Sequence, residues 1–233
     1  MTLSTTLPAQ TTPVFCTDED ILIHAGGDFV SLCPPWQQMA AGTDGAFAAG
    51  TPWVLTSASV DFAANGARPN QVVLLTAPRS QYPGGGQLLA IDSVATNTIT
   101  LRRPHKDLYV GQPPAPASGL TAVAFTINTL DPQSEEASFD LKRRFTIDDT
   151  IGADFSRSSS WVYDLRDLRM AAVLSVLYSR YTSETRADKG DFAIKIKRIQ
   201  QQLDDVLSRV QVRWGPFGNS AEPSTLFSCK LSR

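Results

Sequence analysis

Two histidines and three cysteines are the first residues to test for chemistry. His24 falls in an apolar, helix-like stretch, and His105 in the loop-like run Arg102-Arg103-Pro104-His105-Lys106. Cys16, Cys33 and Cys229 stand at unrelated spacings, with no C-x-x-C and no H-E-x-x-H anywhere. Zinc needs several such ligands converging on one point, so no metal and no cofactor is expected. Cys33 reads as a small buried apolar residue. An odd, scattered set of cysteines gives no disulfide framework and fits a reducing compartment.

Carboxylates occur in pairs at Asp18/Asp20, Glu135/Glu136, Asp148/Asp149 and Asp204/Asp205. Two carboxylates across a sugar ring can act as acid and base in glycoside hydrolysis. The first two pairs sit where helices should begin and suit the positive end of the helix dipole. Asp204/Asp205 falls on a solvated helix face, which leaves Asp148/Asp149 for a hydrolase reading. There is no G-x-S-x-G elbow, and Ser158-Ser159-Ser160 reads as a helix cap before Trp161. Tyr82-Pro83-Gly84-Gly85-Gly86 lacks the spacing and Lys of a phosphate loop and precedes a strand. It is expected to be a mobile loop that contacts partners. Arg102, Arg103 and Lys106 form one basic cluster, and Lys195, Lys197 and Arg198 another. They suit phosphate or an acidic partner subunit, or else a plain solvated surface. Aromatic residues are not interleaved with them as a base-stacking platform requires.

The elements that would position these residues come in blocks. Thr17 caps a helix whose first turn is Asp18, Glu19 and Asp20, with Ile21, Leu22, Ala25, Phe29 and Leu32 as its apolar stripe. Gly26-Gly27 weakens or bends it. Cys33-Pro34-Pro35-Trp36 ends it, and Gly42-Thr43-Asp44-Gly45 signals a turn. Short β-branched runs separated by turn residues then fill 53–128 and predict a small barrel or curled sheet. Asp131-Pro132 opens another helix, acidic early and basic late. Two long stripes follow, over about 160–184 and 189–212, close enough in sequence to form an antiparallel pair.

The expected fold is therefore α+β: a helical bundle (17–52 and 129–214) with a long C-terminal antiparallel helix pair and an inserted barrel-like module at 53–128. Extended arms at 1–16 and 215–233 complete it. Of the 233 residues, 42% are apolar and 21 basic residues nearly balance 23 acidic ones, which excludes a disordered chain and a globally basic nucleic-acid binder. Residues 1–60 hold five acids and no Lys or Arg, whereas 141–233 hold sixteen bases against eleven acids. Such halves can complement one another within one fold or across a subunit interface. The N-terminus shows no secretory signal, and no apolar run reaches the length of a membrane helix.

Thr17-Asp18-Glu19-Asp20-Ile21-Leu22 opening a helix, the stretch Arg169-Met170-Ala171-Ala172-Val173-Leu174-Ser175-Val176-Leu177-Tyr178-Ser179-Arg180-Tyr181, a closing helix and a trailing arm together form a pattern. It resembles the head-to-tail connector proteins of tailed bacteriophages, more closely the adaptors that form a ring beneath the portal. The resemblance covers about 17–32 and 131–233; the β module departs from the smallest adaptors. It implies a non-enzymatic structural protein of the virion neck, assembled in the host cytoplasm into a twelve-fold ring that continues the DNA channel. The implied partners are the portal protein, a downstream neck or tail protein, other copies of the chain, and genomic DNA passing without sequence readout; no membrane is involved. The docking arm would present Trp214, Phe217, Leu226, Phe227 and Leu231, and the channel or interface would draw on Lys195, Lys197, Arg198, Arg102 and Arg103. An alternative is a partner- or carbohydrate-binding module of a tail or capsid decoration, with Trp53, Phe62, Tyr82 and Tyr109 as an aromatic face.

Overall fold

In the computed structural model, residues 14–104, 115–149, 159, 162, 165–185, 191–210, 212–214 and 227–229 are described. The chain begins as read: Thr17 accepts a hydrogen bond from the Asp20 amide while the Asp20 carboxylate accepts from the Thr17 amide, which starts α1 (Asp18–Ala25). Gly26–Asp28 tighten into a 3-10 turn, and α2 (Phe29–Leu32) carries the stripe onward.

The centre of the molecule is a closed antiparallel barrel of six strands. These are β1 (Gln38–Phe47), β2 (Val54–Thr56), β3 (Val72–Ala77), β4 (Gln87–Val94), β5 (Thr98–Arg102) and β6 (Val123–Asn128). Their order around the barrel is β1-β2-β5-β4-β3-β6, with β6 returning to pair with β1. Register shifts in β1/β6, β3/β6 and β4/β5 bend the strands so that the sheet can close. Phe47, Leu55, Leu75, Leu89, Ile91, Ile99 and Phe125 fill the interior. A Cβ on Gly42 would lie 2.6 Å from the Phe125 ring, so the bulged stretch of β1 is left without side chains where that ring needs room.

The helices form a second core against the barrel wall. α3 (Asp131–Phe145), α4 (Arg166–Thr185) and α5 (Asp191–Arg209) join α1 and α2 there, with Val72 of β3 contributing from the barrel. α4 is the central helix: α3 and α5 each pack mainly on it. β7 (Val212–Trp214) and β8 (Phe227–Cys229) pair as a separate two-stranded ladder, Trp214 opposite Phe227.

This corrects the expected fold class. A helical bundle organised by a long antiparallel pair is not the architecture; a closed six-stranded barrel is, with helices packed beside it. Gly42-Thr43-Asp44-Gly45, read as a turn, lies inside the ten-residue strand β1. The small residues of that strand carry little hydrophobic signal because their partner, Phe125, supplies the bulk. α4 is described from Arg166, and Ser159, expected as part of its cap, instead donates its amide hydrogen to Asp149.

Candidate functional site

The polar residues nominated from the sequence separate into struts and surface. Arg102, at the end of β5, forms an ion pair with Glu19 of α1 through both guanidinium ends and reaches Asn70 at 2.8 Å and Asp92 at 3.5 Å. It ties barrel to helices and does not stand open to a channel. Arg103 lies 5.7 Å from the Trp53 ring centroid. The hydrolase candidate Asp149 forms a 2.7 Å ion pair with the largely buried Lys142 and accepts from the Ser159 amide. Burial pulls its carboxyl upward, but the bonds from Lys142 and Ser159 outweigh it and hold it below the ordinary carboxylate value. A carboxylate so held is a poor proton donor near neutrality.

Cys16 and Cys33 are free and buried, and burial pushes both thiols up to about 12, far from the thiolate a nucleophile needs. Among the described residues no group of three or more His, Cys, Asp and Glu is placed to hold a metal ion. His105 lies outside the described residues, as do Lys106, Tyr109, Phe217, Leu226 and Leu231. Two members of the proposed aromatic face, Phe62 and Tyr82, are buried, and the Phe62 ring lies tilted against Phe125 with centroids 5.5 Å apart. Tyr82 turns the glycine loop back onto the barrel, and Gly86, at φ +109°, passes so close to the Leu75 carbonyl that a Cβ would lie 2.5 Å from it.

A cleft of about 340 Å³ opens between α1, α4 and α5. Its floor is Leu174, Leu177 and Ile199, and its rim carries His24, Lys195, Arg198 and Gln202. Asp28 accepts from Tyr181 at 2.7 Å and pairs with Lys195, whose ammonium lies 5.7 Å from the Tyr181 ring centroid. Burial raises the Asp28 carboxyl, but the bonds from Lys195 and Tyr181 more than offset this and keep it ionised. The cleft combines an apolar floor with a mostly basic rim, and no Ser, Thr or Cys is among its lining residues. Lys195, Lys197 and Arg198 thus come together on α5, while Arg102 and Arg103 sit on the barrel and are engaged elsewhere.

Sequence reading missed a buried junction. The Asp18 Oδ1 accepts from the Leu130 amide at 2.7 Å, and Asp131 accepts from Gln71 at 2.8 Å. Burial chiefly, with help from Asp131, pushes the Asp18 carboxyl up to about 8. Asp18 had signalled only a helix first turn; nothing local announced that its partner lies 112 residues away. In comparisons with protein-family profiles, curated proteins and solved structures, no match to this chain was found.

Proposed function

We propose that this chain is a structural subunit that works by assembly, and that its assembly is the ring adaptor of a tailed-phage neck. It would sit beneath the portal, join the DNA-filled head to the tail and continue the channel. The observation that carries the assembly reading is where its unengaged charge lies. Glu135, Glu136 and Asp140 on α3, and Lys197 and Arg198 on α5, are exposed and make no ion pair with any described residue. Two large apolar side chains share those faces, Phe139 at 60% and Ile194 at 80% exposure. Charges and apolar groups held outward on well-packed helices suit protein contact, because complementary charge selects a partner and apolar area strengthens the contact.

The phage assignment draws its support from the resemblance: the capped start at Thr17, the small and aromatic residues of α4, the closing α5 and the arm beyond it. Native mass measurement tests it. The full chain should be a monomer or weak oligomer alone and a large ring with its cognate portal. Deleting 215–233, which removes β8 and the rest of the arm, should abolish portal binding while leaving the helical circular-dichroism signal. A full-length chain that never joins a portal ends the neck reading.

A further inference from the structure

The helical layer presents two outward faces. α4 is enclosed nearly all round, since Ala171, Ala172, Val173 and Leu174 are buried at four consecutive positions, which point in all directions from a helix. α3 and α5 therefore flank a filled centre, and each keeps one free side. The charges on those sides come in blocks. On α3 the acids Glu136 and Asp140 precede Arg143 and Arg144; on α5 the bases Lys197 and Arg198 precede Asp204 and Asp205. All eight are exposed. Glu136 to Arg144 and Lys197 to Asp205 are both eight-residue steps, roughly 12 Å each along a helix.

We infer that the α3 face of one copy docks on the α5 face of a second copy, with the two helices side by side and parallel. Parallel alignment places Glu136 and Asp140 beside Lys197 and Arg198, and Arg143 and Arg144 beside Asp204 and Asp205. Antiparallel alignment places acid on acid and base on base, so charge selects the direction as well as the partner. Phe139 and Ile194 fall within the same strip and give it apolar area. Asp205 already pairs with Arg209 at 2.9 Å, but an exposed pair within one helix turn is weak and leaves the acid block available. The two faces belong to different helices, so the contact is heterologous: each docked copy still offers one unused face, and repetition closes a ring or continues as a filament. The inference rests on the assembly reading above and names the surfaces that join.

Charge reversal on the full chain tests it. Lys197→Glu/Arg198→Glu and Glu136→Lys/Asp140→Lys should each weaken self-association at least about tenfold in sedimentation at low salt and high protein concentration. Mixed in equal amounts, the two variants should assemble again, because the reversed α5 of one meets the reversed α3 of the other and the native faces meet in between. Recovery on mixing shows that neither variant had merely misfolded. A wild-type chain that stays monomeric under these conditions, unchanged association in either variant, or no recovery overturns the inference. Portal binding is scored separately. Recovery without portal binding removes the neck reading and leaves this contact standing; portal binding with indifferent variants removes the contact alone.

Discussion

The barrel and the helical layer exclude water by different means. In the barrel, pairing continues around all six strands, so the backbone satisfies itself and the interior can be wholly apolar. The helices have no such closure. Where they meet each other and the barrel, they bury Asp18, Glu19 and Lys142 and use them as ties. The difference teaches where this chain is brittle. Barrel stability is set by volume, whereas stability of the helical side depends on a few polar partners remaining in place and correctly charged.

The largest effect should come from the barrel. Phe125→Ala empties the space that Gly42 and Gly45 leave open and should cost about 3–5 kcal/mol in urea unfolding. Arg102→Ala leaves Glu19 buried without its main partner and should cost about 3 kcal/mol. Replacing both by apolar residues should recover part of that; if it recovers none, the tie is packing and not charge. Asp18→Asn separates the two regions by pH. The folded carboxyl holds its proton up to about 8, while the unfolded one releases it near 3.8. Wild-type stability therefore falls as pH rises through that window, because the unfolded state gains the favourable ionisation first. The variant does not titrate there and keeps an oxygen for the Leu130 amide, so its melting temperature should rise relative to wild type from acid to mildly alkaline pH. Thr17→Ala removes one half of the capping box and should cost about 1 kcal/mol. Smallest of all, Lys197→Glu/Arg198→Glu should shift unfolding by no more than about 0.5 kcal/mol, since both side chains are exposed and pair with no described residue.

What the sequence made readable was local. The box at Thr17, the bend at Gly26-Gly27 and the early acids and late bases of α3 follow from neighbours within a turn or two. The β-rich character of the middle of the chain showed in its branched residues. A barrel or curled sheet was expected over 53–128, but its strand β1 (Gln38–Phe47) was not, because half of β1 is Gly and Ala whose meaning depends on Phe125, about eighty residues on. The roles of Arg102 and Asp149 were likewise hidden: a basic cluster looks the same in sequence whether it faces solvent or clasps Glu19. Burial, not spacing, decided that Phe62 and Tyr82 were packing residues.

The first and last strands of the barrel lie side by side, Gln38 opposite Asn128, and the Thr129 amide donates to the Gln37 carbonyl at 3.2 Å. The polypeptide thus leaves the helices and comes back to them through a single gateway. A change of length in an exposed loop at the opposite rim therefore need not pull on that gateway or move the helices beyond it.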